Sequence, residues 1–239
     1  TKLTLIDLNV DPFVLSNIGE RADIQYNAIG FYPLDGFIYG WNYTSQENLI
    51  RIDAEGTVAD MGIPLLVGDN NQTLRGGFNA GDVSLDGYLY AFQGGRNTMY
   101  KIDTQSSPPT YEPIPLSRSL PCYDLAINPK DGKGYCGFHS PAELFEIDLA
   151  TGEIIASPLP GTLSGDLGIG AQWFDAKGRL YLYRNSGHLH RVDLEAGEMT
   201  LLGVGEGSTN NDGTACSQGA SIEKEVSPQA GSRGEVATF

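Results

Sequence analysis

The 239 residues are expected to fold as an all-β protein, and within that class as a β-propeller of four-stranded antiparallel blades. Three observations predict it. Short apolar runs ending in Ile-Asp or Val-Asp recur at intervals of 45 to 50 residues: "LTLID" to Asp7, "LIRID" to Asp53, "MYKID" to Asp103, "LFEID" to Asp148 and "LHRVD" to Asp193. Ahead of the last four lies a hairpin pattern, "FYPLDGFIYG", "VSLDGYLYA", "INPKDGKGYCG" and "WFDAKGRLYLY". No helical periodicity of useful length competes with these period-two stretches.

Each unit reads as four strands in order. An inner strand enters a tight turn at Asp35-Gly36, Asp86-Gly87, Asp131-Gly132 or Lys177-Gly178, where glycine supplies the positive φ that hairpin turns demand. The second strand carries Tyr39, Tyr90, Tyr135 or Tyr181, which are expected to pack between blades. A loop leads to the Ile-Asp strand, and the aspartate at its end suits an Asx-turn, accepting backbone N–H groups two residues on. A second turn, "DAEGTV", "DLATGEI" or "DLEAGEM", opens the short outer strand.

Four complete units occupy roughly residues 25 to 205. The N-terminal "KLTLIDLNVDPFVLSNIG" supplies the last two strands of another blade, and "NNDGTACSQ", Asn210 to Gln218, resembles an inner strand. Joining both termini gives five blades and removes the exposed strand edges; six is the alternative where the native chain begins further upstream. The propeller is thus assigned to residues 1–219. Residues 220–239 are either a closing strand, with Ala220–Val226 as its core, or the cut start of an immunoglobulin-like repeat, which Ile222–Phe239 resembles.

The stretch "YNAIGFYPLDGFIYG", the "LIRID" strand with its turn, and "NNDGTAC" resemble an uncharacterised family of extracellular propeller domains found ahead of immunoglobulin-like repeats in bacterial surface, adhesin-like proteins. That resemblance implies a cell-surface or secreted location and a binding or adhesive setting, and carries no catalytic residues over. Thirty acids against fifteen Lys plus Arg leave a net −15, which repels nucleic acid and anionic lipid. No stretch is long and apolar enough for direct membrane insertion. A monomeric domain within a longer chain is the expected state. Of Cys122, Cys136 and Cys216, the first two fall on neighbouring strands and can bridge if their Cα atoms lie within about 7 Å, leaving Cys216 spare and buried on an inner strand.

Propeller ligands commonly sit on one face, built by the loops between second and third strands and those between blades. Here that face is expected to carry Trp41, Tyr43, Phe92, Arg96, His139, Tyr183 and Arg184 as ligand-binding residues. Aromatic rings beside amides and acids suit sugars, whose C–H faces stack while hydroxyls take directed hydrogen bonds. The partner is accordingly a glycan or a surface protein. Asp69, Asp166 and Asp212, in the Gly-flanked loops "GDNNQ", "SGDLG" and "NNDGT", are candidate oxygen ligands; no cofactor is demanded by any motif, and Ca²⁺ is the candidate ion. The alternatives are a carbohydrate-active hydrolase or lyase on the same face, with His139 and Tyr183 as base and acid, and a structural spacer without a small ligand.

Overall fold

Every repeated turn glycine adopts the left-handed backbone that the sequence demands, with φ of 79° at Gly36, 84° at Gly87, 71° at Gly132 and 79° at Gly178. In the computed structural model, which describes residues 1–165, 168–208 and 211–216, these turns organise twenty strands. The first two, β1 (Leu3–Asp7) and β2 (Val14–Ile18), form a two-stranded hairpin. The first complete blade is β3 (Tyr26–Tyr32), β4 (Phe37–Asn42), β5 (Leu49–Ile52) and β6 (Val58–Gly62), paired in that order.

A short hairpin follows, β7 (Leu65–Leu66) and β8 (Asp69–Thr73). The second blade is β9 (Ala80–Val83), β10 (Tyr88–Phe92), β11 (Thr98–Asp103) and β12 (Thr110–Pro115). Strand β7 pairs in parallel with the outer strand β12, so this sheet has six strands. The third blade is β13 (Ala126–Ile127), β14 (Gly134–His139), β15 (Ala142–Ile147) and β16 (Ile154–Pro158). The fourth is β17 (Ile169–Phe174), β18 (Leu180–Arg184), β19 (His188–Asp193) and β20 (Glu198–Val204). The stretch "GDNNQ", residues 68–72, expected as a Gly-flanked loop, instead turns at Gly68, whose φ of 85° permits the tight reversal, and enters β8.

Four blades are complete among the described residues. Between the fourth and the first lie the β1–β2 hairpin and residues 211–216. Phe31 N–H donates to Thr214 Oγ1 at 2.8 Å, holding this segment along β3, and a Cβ on Gly213 would meet Ala171 and Trp173 of β17. Leu3 and Cys216 join the apolar cluster that faces the first blade, while Ile6, Phe13 and Ala215 join the one that faces the fourth. The expected closing strand, Ala220–Val226, and the immunoglobulin-like tail, Ile222–Phe239, lie outside the described residues. Cys216 is a free thiol and is partly rather than fully buried. Cys122 and Cys136 are bridged, with Cα atoms 6.1 Å apart.

The core is a set of seams between sheets. Tyr39 packs with Val83 and Leu89 of the second blade, Tyr90 with Leu125 and Ile127 of the third, Tyr135 with Phe174 of the fourth, and Tyr181 with Ile6 and Phe13 of the N-terminal hairpin. Three of these hydroxyls reach back to the turn aspartate of their own hairpin: Tyr39 to Asp35 (2.7 Å), Tyr135 to Asp131 (2.7 Å) and Tyr181 to Asp175 (3.2 Å). All five Ile-Asp or Val-Asp carboxylates accept the N–H two residues on, at Asn9, Glu55, Gln105, Ala150 and Glu195, at 2.8 to 3.1 Å. Their repetition is turn chemistry. Inner strands β3 and β9 approach so closely that a Cβ on Gly30 would sit 2.1 Å from Val83 N.

Candidate functional site

Antiparallel order puts the second-to-third loops and the interblade loops at the same end of the ring, and backbone bonds lace them together. Gly76 N–H donates to Gln46 O, Gly95 N–H to Leu120 O, Leu120 N–H to Arg96 O, Asn185 N–H to Gly168 O, and Ser208 N–H to Asn185 O. The loops of the first, second and fourth blades are thereby tied to neighbouring interblade connections. The face is pre-organised, and side chains on it are held by backbone that has little freedom left.

Trp41, Phe92 and Tyr183 do not display their rings there. Trp41 and Phe92 are fully buried and Tyr183 is 7% exposed. The physical reason is strand periodicity: each stands two residues after Tyr39, Tyr90 or Tyr181 and so shares the same inward face of its strand. Trp41 donates its Nε1–H to Gly76 O at 2.7 Å and packs against Phe78 with ring centroids 4.7 Å apart. Tyr183 donates its hydroxyl to Glu206 O at 2.7 Å, and burial pushes its pKa up. These aromatics plug seams rather than forming a shelf.

Arg184 is buried too, at 3% exposure, with Nη1 donating to Ser164 O at 2.9 Å. It lies in the seam between the third and fourth blades, where all three histidines meet the connecting segment. Ser164 N–H donates to His190 Nε2 at 3.0 Å, so that nitrogen is unprotonated and Nδ1 carries the hydrogen. Burial, then the Arg184 and His188 charges, hold the His190 pKa down to about 4. His188 Nδ1 lies 3.0 Å from Ser186 Oγ. His139 rests against Gly168, and its buried Nδ1 has no hydrogen-bond partner among the described residues. Tyr183 faces the opposite side of the fourth sheet, with Ile6 and Phe13, so the expected base and acid pair of His139 and Tyr183 is not assembled.

What the face does expose is a smaller set. Arg96 is exposed, and Tyr43 is half-buried beside Gly77. Tyr123, which the sequence reading passed over, is 53% exposed and its ring lies against Gly94 in the loop that carries Arg96. The signal for Tyr123 was available, because it precedes Asp124 at the mouth of an inner strand.

Of the three expected oxygen ligands, Asp69 and Asp212 are placed apart. Asp69 sits on β8 at the outer rim, accepting Asn71 N–H at 3.0 Å and Gln72 Nε2–H at 2.8 Å, contacts that lower its pKa. Asp166 lies outside the described residues. Asp212 is on the ring axis, where Asp82 and Asp124 join it. Among the described residues, no group of three or more His, Cys, Asp or Glu side chains is placed to hold a metal ion.

The axial aspartates do something else. Each caps the N–H of the residue after it with Oδ1 and reaches an N–H of the following inner strand with Oδ2. Asp82 accepts Val83 N–H (2.8 Å) and Ile127 N–H (2.8 Å); Asp124 accepts Leu125 N–H (2.7 Å) and Gln172 N–H (2.6 Å); Asp212 accepts Gly213 N–H (2.9 Å) and Ile29 N–H (2.8 Å). Gln172 adds bonds from Nε2 to Asp124 O and Tyr135 O, and its Oε1 accepts Gly137 N–H. Inner strands that splay apart around an axis cannot pair backbone to backbone, so side chains bridge the gap. Burial raises all three carboxyl pKa values, to about 8 for Asp82 and about 7 for Asp212, against the lowering effect of the N–H donors. At the turn end, the axis leaves a cavity of about 10 Å³ bounded by Phe31, Asp82, Ile127 and Trp173, room for about one water. The axis is a packed seam.

A family model described as a repeat of unknown function, DUF6923, matches residues 1–218. No curated protein shows significant sequence similarity to the chain. Among solved structures, a protein of unknown function from Bacteroides thetaiotaomicron aligns with a TM-score of 0.57 at 10% identity, over 85% of this chain and 56% of that one. The β-propeller domain of Cps50 (Swd1) from Myceliophteria thermophila aligns at 0.48 and 16% identity, over 81% and 60%. Virginiamycin B lyase from Staphylococcus aureus aligns at 0.46 and 12% identity, over 84% and 62%. The chain spans less than two thirds of the length of each of these neighbours.

Proposed function

The chain belongs to the DUF6923 family of repeats of unknown function, and from that premise we propose that it is an extracellular binding module of a larger surface or secreted protein, engaging a glycan with its loop face. The observation that carries this reading is the lacing of that face. Five backbone bonds between successive loops fix a surface on which Tyr123, Tyr43 and Arg96 are presented without the ordering cost that mobile loops would add. The exposed Tyr123 ring offers a stacking surface, and the Arg96 guanidinium on the adjoining loop supplies directed donors for hydroxyls or carboxylates. The Cys122–Cys136 bridge supports an oxidising location, since such bonds are rare in reducing compartments.

The test is a glycan array, followed by titration of any hit with the wild-type protein, Tyr123→Ala and Arg96→Ala. Both side chains are exposed, so both variants should fold normally while weakening binding at least about tenfold, the loss expected for one good contact of 1.4 kcal/mol. Unchanged affinity in both variants, or an array blank for every glycan, overturns the reading.

A further inference from the structure

The first and second blades carry the same pair of loops, one between their second and third strands and one leading into the next blade, but the two pairs treat charge differently. In the first blade, Arg75 of the interblade loop is ion-paired with Glu47 of the second-to-third loop. In the second blade each loop carries an arginine, Arg96 on one and Arg118 on the other, and neither loop contains an acid: none occurs from residue 87 to 102 or from 113 to 123. We propose that these two loops form a subsite for an acidic glycan, the Arg96 and Arg118 guanidinium groups taking its carboxylate or sulfate and the Tyr123 ring taking a sugar face.

Backbone bonds set the two arginines on a single laced unit. Leu116 N–H donates to Asn97 O at 2.9 Å, Leu120 N–H to Arg96 O at 3.2 Å and Gly95 N–H to Leu120 O at 2.6 Å, so the chain is tied to the Arg96 turn on both sides of Arg118. Arg96 N–H closes its own turn on Gln93 O at 3.0 Å. Both arginines are exposed, and among the described residues neither has a carboxylate within ion-pair distance. Arg118 instead stands over Phe145, its Cζ 5.3 Å from the ring centroid, and Glu143, two residues earlier on β15, makes no ion pair with it. Other acids along the chain are engaged elsewhere. Asp124 is 1% exposed and committed to the N–H groups of Leu125 and Gln172, Asp103 accepts Gln105 N–H in its turn, and Glu112 lies in register with Lys101.

Two uncompensated guanidinium groups on adjoining loops repel each other, and an anion bound by both relieves that cost. Each guanidinium is a planar fork whose parallel N–H donors match the oxygens of a carboxylate or sulfate. The net charge of −15 does not forbid this, because screening limits its reach to about 8 Å at physiological ionic strength, and within that distance the acid-free loops decide. Tyr123 narrows the ligand from a simple ion to a sugar acid. Its ring is 53% exposed and fixed at its base by the Cys122–Cys136 bridge, and it lies so near Gly94 that a Cβ there would meet Cys122 O at 2.6 Å and the ring at 3.3 Å. A flat apolar surface beside two cations offers a sugar C–H face and its acidic substituent a place each. The inference rests on the glycan reading of the loop face and names the class of glycan.

Calorimetric titration of the intact chain with polygalacturonate, dextran sulfate and neutral dextran tests this, together with matched acidic and neutral members of a glycan array. The tightest ligand should carry a carboxylate or sulfate, should bind at least about tenfold more tightly than its neutral counterpart, and should weaken as salt is raised. Arg118→Gln removes one charge but keeps N–H donors, and Ser119→Glu gives the loop an acid of the kind that Glu47 supplies in the first blade. Both positions are exposed, so each variant should keep the wild-type circular dichroism spectrum while losing at least about tenfold in affinity for the acidic ligand. A neutral glycan bound as tightly as any acidic one overturns the acidic assignment and leaves the glycan reading standing, whereas an array and polymers that are all blank overturn both. Undiminished binding of the acidic ligand by both variants, or a preference for single-stranded DNA over every acidic glycan, also overturns the proposal.

Discussion

Replacing Trp41 with alanine should unfold the protein more easily without acting as a binding defect. Its side chain is fully buried in the seam between the first and second blades, against Phe78, with Nε1–H bonded to Gly76 O. Burying a tryptophan removes about 200 Å² from water, worth about 5 kcal/mol at 25 cal/mol per Å². Measured aromatic-to-alanine changes in cores run at about 3–5 kcal/mol, so a loss of about 4 kcal/mol is expected. For a domain of this size that lowers the melting temperature by about 8–16 °C. Trp41→Phe separates the two contributions, because it keeps a ring against Phe78 but leaves Gly76 O without its donor, at a cost of about 1–2 kcal/mol. Urea unfolding followed by far-ultraviolet circular dichroism is the assay, since removing one of two tryptophans alters fluorescence by itself. A Trp41→Ala protein within about 1 kcal/mol of wild type would refute the seam argument. So would one with an unchanged midpoint that has lost its ligand.

Gly30→Ala should abolish soluble expression or cost several times more than Gly36→Ala, because the new Cβ would lie 2.1 Å from Val83 N at Gly30 and meet nothing within 4 Å at Gly36; equal midpoints would contradict the close approach of β3 and β9. Overall stability should fall as pH rises from about 4 to about 8: the axial acids are protonated in the folded state up to about 8 at Asp82 and about 7 at Asp212, but ionise near 3.9 when unfolded. His190, held down to about 4, opposes this below its unfolded value of about 6.5, so the fall should steepen above that point, and urea midpoints that rise from pH 5 to 8 would exclude it.

The scaffold was legible because its devices are local and repeated. Asp35-Gly36 and its counterparts fix hairpins through φ, and the Ile-Asp carboxylates fix the next turn through an N–H two residues away, so neither needs a distant contact to be read. Site residues were read less well. Trp41, Phe92 and Tyr183 looked like loop residues because the strand ends were placed too early; counting two residues on from each repeated tyrosine would have turned them inward. Asp82 and Asp124 stand out only as acids within apolar inner strands, and their role depends on amides 45 and 48 residues away. The β7–β8 hairpin was missed because a two-residue strand carries almost no periodic signal.

Repetition itself constrains where recognition can occur. The side chains that recur from blade to blade are consumed by the fold: the tyrosines by seams, the Ile-Asp and Val-Asp carboxylates by turns, the axial aspartates by the gaps between inner strands. A ligand reading the repeated positions would find them buried or already bonded. Arg96 and Tyr123 differ in this respect, since neither has an equivalent at the same place in the other blades, and both stand on loops whose backbone is fixed by neighbours. A surface built this way has a shape set by the repeat and a chemistry set by its departures from the repeat. The same division holds at the axis, where Asp124 and Asp212 bridge successive inner strands by a shared rule, each accepting the next residue's N–H and one N–H of the following strand.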